Sequence, residues 1–148
     1  MGGMTRSLSV DLVGTEADAP TLGRADVDVL VVDDDNSVRT SMSAVLRSAG
    51  FSVVEARDGQ DAVDVLGRNR VGVIVLDLHM APRDGIWLLE RLRGDMVVIV
   101  VSAFALYGRA EILDRFPARV DHAMQKPVSP QTLIDVVQRS LGPATPPT

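Results

Sequence analysis

Three consecutive carboxylates, Asp33, Asp34 and Asp35, close an apolar run in the stretch LVVDDDNSVRT. A single carboxylate, Asp77, closes a second such run, VGVIVL; the hydroxyl of Ser102 closes a third, VVIVV; Lys126, followed by Pro127, comes after the mixed stretch VDHAMQ. Two carboxylates about 4 Å apart repel by roughly 4 kcal/mol at an effective dielectric near 20, so a cluster of this kind calls for a counter-charge. Carboxylates gathered from neighbouring strands suit a hard divalent cation, and Mg²⁺ is commonly held by one or two of them together with a phosphate. A phosphoryl group in transfer spreads charge over its oxygens, which need a metal, a cation and a hydroxyl donor. Asp77 is the candidate nucleophile, Lys126 the point charge and Ser102 the hydroxyl. Lys126 is conspicuous: of the fifteen Lys and Arg residues, it alone is Lys.

These residues need a scaffold that brings strand ends together. Strands are expected at Val27–Val32, Ser52–Ala56, Val71–Leu76, Met96–Val101 and Val120–Met124, each rich in Val or other apolar residues and bounded by turn formers. Helical spacing of apolar residues runs through Ser37–Ala49, Gly59–Arg68, Asp84–Arg93, Leu106–Phe116 and Pro130–Leu141. Gly50 stands where a left-handed helix end belongs, and Ser129 with Pro130 reads as a cap followed by the first helical residue. Strict alternation of strand and helix with short connections implies an α/β fold, a doubly wound parallel sheet of five strands with helices on both faces. Ligands of such sheets bind beyond the carboxyl ends of the strands, which is where all the chemical residues fall.

The set LVVDDD, VIVLDLHMAPRDG, VIVVSA and QKP, in this order and at these strand ends, resembles the receiver domain of bacterial two-component response regulators. The resemblance covers residues 27–141 and implies the flavodoxin-like receiver fold. It implies that Asp77 is the phosphoacceptor, that Asp34, Asp77 and the main-chain carbonyl of His79 hold Mg²⁺ with Asp33 assisting through water, that Ser102 is the switch hydroxyl, and that Lys126 precedes a cis bond to Pro127. It further implies a phosphorelay module that catalyses only its own aspartyl phosphorylation and dephosphorylation. The phosphoryl donor would be a histidine kinase or phosphotransfer protein, and a change of surface would control an unknown downstream effector.

The chain departs from the family pattern in a longer segment between Ser102 and Lys126, in a turn before the fifth strand without the customary Gly, and in two single positions. Ala81 stands where the family usually has Pro, with Pro82 one step late, and Ala123 stands where the family has an inward-turning Tyr or Phe. Ala123 leaves room for a pseudo-receiver, a binding module that keeps the pocket without phosphorylation-driven switching. Asp33-Asp34-Asp35-Asn36-Ser37 also resembles the DxDx[TS] pattern of haloacid-dehalogenase-like phosphatases, but that family needs an acidic pair after its lysine, and only Asp135 follows Lys126. Trp87 and the leucines after it read as helix packing, and Asp84-Gly85 as a cap and turn. Asp35 doubles as a candidate helix cap.

Composition narrows the remaining classes. A chain of 148 residues with 46% hydrophobic content suits one domain, expected over residues 26–142 between a linker-like extension at 1–25 and a Pro-rich tail at 143–148. A net charge of -5 disfavours direct nucleic-acid binding. With no cysteine there is neither a thiolate metal site nor a disulfide framework. The apolar runs are too short to span a bilayer and the N-terminus lacks a signal-peptide core, so a cytoplasmic protein without membrane contact is expected. Nothing in this composition opposes a homodimer.

Overall fold

The structure, a computed structural model, describes residues 25–78, 85–103, 109–117 and 119–141. Five strands and five helices alternate: β1 (Val27–Val32), α1 (Asn36–Ser48), β2 (Val53–Ala56), α2 (Gly59–Leu66), β3 (Val71–Leu76), α3 (Gly85–Leu89), β4 (Val97–Ser102), α4 (Arg109–Arg115), β5 (His122–Gln125) and α5 (Pro130–Leu141). All strand pairs are parallel and the spatial order is β2-β1-β3-β4-β5. The expected fold class is therefore the observed one. Strand order reverses between β1 and β3, with β2 added on one side of β1 and β3 to β5 on the other, which makes the carboxyl ends of β1 and β3 the switch point of the sheet.

The continuous apolar strands split into two faces because successive side chains point to opposite sides of a strand. Leu30, Val32, Ile74, Leu76, Val98 and Val100 join one core with Ala62 and Val65 of α2, Leu88 and Leu89 of α3 and Ile112 of α4. Val29, Val31, Val73, Val75, Ile99 and Val101 join the other with Leu46 of α1 and Leu133, Val136 and Val137 of α5. Burying a side chain of this size is worth about 1.5–3 kcal/mol, so the two cores hold the strand ends in fixed relation. Trp87 packs against the first core as expected.

Local signals set the helix limits. Asp35 caps α1 by accepting from the Val38 amide at 3.1 Å, and Asp58 caps α2 by accepting from Asp61 at 2.8 Å. Gly50 has a φ of 100°, and behind it the Gly50 and Phe51 amides donate to the Arg47 and Leu46 carbonyls, closing α1 in a Schellman motif. Ser129 accepts from the Thr132 amide at 3.1 Å, ahead of Pro130.

Boundaries depart from expectation where periodicity outran the backbone. Helix α2 stops at Leu66 instead of Arg68. Helix α3 ends at Leu89, well short of Arg93: the Arg91 amide bonds Leu88 three residues back, tightening the last turn, yet Leu92 remains buried and so kept the helical apolar pattern alive in the sequence. Strands β2, β4 and β5 each begin slightly later than expected, and β4 and β5 run one residue further, to Ser102 and Gln125. The expected starts of the third and fourth helices at Asp84 and Leu106 lie outside the described residues, as do most of the 1–25 extension and the 143–148 tail.

Candidate functional site

Strand register places the acids. Val32 of β1 pairs with Leu76 of β3, so the next residue of each strand, Asp33 and Asp77, emerges side by side at the switch point. Backbone bonds continue the ladder past the strands, with the Asp77 amide donating to Val32 at 3.0 Å and the Asp33 amide to Ala56 at 3.2 Å. Asp33, Asp34 and Asp77 each present an oxygen within 4.8 Å of the others. Asp33 is fully buried, Asp77 is 6% exposed and Asp34 faces solvent.

The far side of the sheet contributes the cation and the hydroxyl. Ser102 pairs with Gln125, and the Lys126 amide then donates to the Ser102 carbonyl at 2.9 Å, so the chain turns over Ser102 as it leaves β5. From there the Lys126 Nζ reaches Asp33 Oδ2 at 2.7 Å and stands 3.6 Å from Asp77 Oδ2. The Lys126–Pro127 bond is cis. Ser102 is fully buried at the end of β4.

The three consecutive aspartates divide their work. Asp33 is held on both oxygens, Oδ1 by the Asp35 amide at 2.9 Å and Oδ2 by Lys126. Asp35 turns away to cap α1 and stands outside the acidic group. Asp34, exposed, completes the group with Asp33 and Asp77. Three hard oxygen donors at this separation fit a small divalent cation such as Mg²⁺. The expected contribution of the His79 carbonyl lies outside the described residues, as do Ala81 and Pro82. Ala123 is described: it lies buried on β5 opposite Val100, and has no ring to turn inward.

Two residues to which the sequence analysis gave no part in the site support it. A Cβ on Gly85 would meet the Asp77 carbonyl oxygen and come within 2.6 Å of Leu78 Cα, so α3 begins pressed against the backbone of Asp77. Nothing in Asp84-Gly85 distinguishes this from an ordinary turn glycine. Arg39 donates from Nη1 to the Asp33 carbonyl at 2.8 Å. A signal for it existed: a cation near a helix N-terminus opposes the macrodipole unless specific acceptors hold it there.

Residues 29–138 match the family model described as response regulator receiver domain. The chain belongs to this family. As a receiver domain of two-component response regulators, it is 34% identical over 124 residues to the response regulator MprA of Mycolicibacterium vanbaalenii, covering 81% of this chain and 52% of that protein. It is 30% identical to the probable transcriptional regulator ycf27 of Porphyridium aerugineum, covering 71% of this chain and 44% of the relative. The matched region thus spans about half the length of these curated relatives. Among solved structures, the receiver domain of the Francisella response regulator 1452 superposes with a TM-score of 0.70 at 30% identity, covering 78% of this chain and 97% of that one. The Vibrio cholerae chemotaxis protein CheY4 gives a TM-score of 0.70 at 26% identity, covering 78% of this chain and 98% of the other. Family membership sets aside the haloacid-dehalogenase-like alternative. No helix among the described residues is long and apolar enough to cross a membrane.

Proposed function

We propose that this receiver domain is the phosphoacceptor of a two-component relay, phosphorylated on Asp77. The observation that carries this reading is the convergence at one strand end of the Asp33, Asp34 and Asp77 oxygens, within 4.8 Å of one another, with the Lys126 ammonium 3.6 Å from Asp77. Asp33, Asp34 and Asp77, with the His79 carbonyl, would hold Mg²⁺, which when bound neutralises charge on the phosphoryl oxygens. An Asp77 oxygen forms the new bond to phosphorus as the bond to the donor's imidazole nitrogen breaks; the imidazole leaves with the electron pair and takes up a proton. Lys126 exchanges part of its hold on Asp33 for a phosphoryl oxygen, and the Ser102 hydroxyl donates to another. Both contacts are charge-assisted and strengthen as negative charge gathers on Asp77.

On this reading the chain catalyses only its own phosphorylation and dephosphorylation in the cytoplasm. It takes its phosphoryl group from a histidine kinase or phosphotransfer protein, and residues 26–142 act as the signalling unit that a downstream effector reads. Intact mass after incubation with Mg²⁺ and acetyl phosphate should rise by one phosphoryl group, and Asp77→Asn should prevent the gain. An unchanged mass in the unsubstituted protein, or the same gain in Asp77→Asn, would overturn the assignment.

A pseudo-receiver is the second reading, favoured by Ala123. This buried position on β5 carries no aromatic ring to move with Ser102. Such a protein would keep the pocket without passing a phosphorylation signal to its surface.

A further inference from the structure

Arg39 lies in the second turn of α1, and its side chain runs back towards the helix N-terminus, the direction helical side chains favour. The guanidinium fork has three acceptors. Nε donates to Glu55 Oε1 at 3.2 Å, Nη1 to the Asp33 main-chain carbonyl at 2.8 Å and Nη2 to Asn36 Oδ1 at 2.5 Å. The side chain is only 11% exposed. Glu55 is itself anchored on its other oxygen by Arg47 at 3.2 Å, and Arg47 also donates to the Val53 carbonyl at 3.0 Å. The base of Arg39 is therefore α1, and its lateral support is β2.

The Asp33 carbonyl and the Asp34 amide belong to one planar peptide unit. A group that fixes the carbonyl fixes the plane from which the Asp34 side chain departs. Asp33 needs little further help, since Lys126 and the Asp35 amide already hold its carboxylate. Asp34 is the exposed member of the acidic group, and exposed carboxylates sample several rotamers. Arg39 also stands behind the main chain, bonded to a carbonyl instead of to the carboxylates of the group.

We propose that Arg39 is a positioning residue for the divalent-cation site, holding the Asp33–Asp34 peptide so that Asp34 is aimed at the cation shared with Asp33 and Asp77. This rests on the Mg²⁺ reading of the acidic group. The role belongs to the guanidinium, because a lysine ammonium keeps the charge but cannot serve three acceptors in one plane. The competing account is that Arg39 merely latches α1 to β2 through Glu55. Arg47 isolates that account, since it makes the same latch without touching Asp33.

The test is the urea denaturation midpoint as a function of Mg²⁺ alone, in the unsubstituted protein and in Arg39→Lys, Arg39→Gln, Arg47→Met and Asp34→Ala. The Mg²⁺-dependent gain in stability reports the folded-state affinity separately from intrinsic stability, even in a weakened variant. Both Arg39 variants should bind Mg²⁺ about tenfold more weakly, in the range found when groups that orient metal ligands are removed. Arg47→Met should lower the midpoint without Mg²⁺ and leave the affinity unchanged. Unchanged affinity in both Arg39 variants, with Asp34→Ala still weakening it, would overturn the role of Arg39 and leave the cation site standing. An equal loss in Arg47→Met would reduce Arg39 to a latch. No Mg²⁺-dependent gain in the unsubstituted protein would overturn both readings.

Discussion

The Lys126 ammonium donates to the Asp33 carboxylate across 2.7 Å, joining residues 93 positions apart in the chain. This ion pair ties the last strand of the sheet to its second, over the top of β3 and β4. It places the lone lysine in two roles, neutralising a fully buried carboxylate and standing within reach of Asp77.

Lys126→Ala should consequently cost stability as well as phosphorylation. Removing one partner of a fully buried ion pair costs about 3–5 kcal/mol. Lys126 keeps 24% of its side chain in water, so a loss of about 2 kcal/mol is expected. Urea denaturation gives the number, and part of the loss should return on adding Mg²⁺, which supplies the missing positive charge. A variant as stable as the parent would show that Asp33 is neutralised in another way.

Mg²⁺ should raise the melting temperature, because the Asp33, Asp34 and Asp77 oxygens lie within 4.8 Å of one another. Asp34→Ala removes an exposed carboxylate and should leave the metal-free melting temperature near its original value while abolishing most of the rise. Differential scanning calorimetry with and without Mg²⁺ decides, and an undiminished rise in Asp34→Ala would place the cation elsewhere.

Gly85→Ala should damage the site without touching a chemical group. The added methyl meets backbone at Asp77 and Leu78, neither of which can swing away as a flexible side chain would. Overpacking of this kind costs about 1–3 kcal/mol, and relief by displacing Asp77 should slow phosphorylation by acetyl phosphate. Wild-type rate and stability together would mean that α3 shifts freely away from the strand end.

Ser43 offers a change in the other direction. Its hydroxyl is fully buried on α1 and has no hydrogen-bond partner among the described residues. Ser43→Ala should stabilise the fold by about 1 kcal/mol, from removal of an unsatisfied polar group and better helix propensity. A lowered denaturation midpoint would reveal a partner for the hydroxyl.

Switching should pass through Ser102, since Ala123 has no ring to bury. Amide exchange with and without beryllofluoride should differ across residues 102–116, and Ser102→Ala should remove that difference. Changes restricted to the acidic residues would favour the pseudo-receiver.

The local parts of this fold were legible along the chain. Unbroken Val and Ile runs announced strands buried on both faces, and short-range partners made Asp35, Ser129 and Gly50 reliable punctuation, because a cap is decided by residues three or four positions away. The chemical types at the strand ends were visible too, and their order pointed to the family. The pairing of strands was needed for the rest. Only the β1–β3 register sets Asp33 beside Asp77, and only the β4–β5 register brings Lys126 over Ser102 and on to Asp33. The capping role of Asp35 could be read locally, but nothing in one dimension separates the burial of its two neighbours: the turn into α1 buries Asp33 and leaves Asp34 in solvent. The position of Arg39 near the start of α1 signalled that it has acceptors, but only the fold shows that the Asp33 carbonyl is one of them; the press of Gly85 on Asp77 is a contact with backbone, which carries no residue-specific signature from which it could be read.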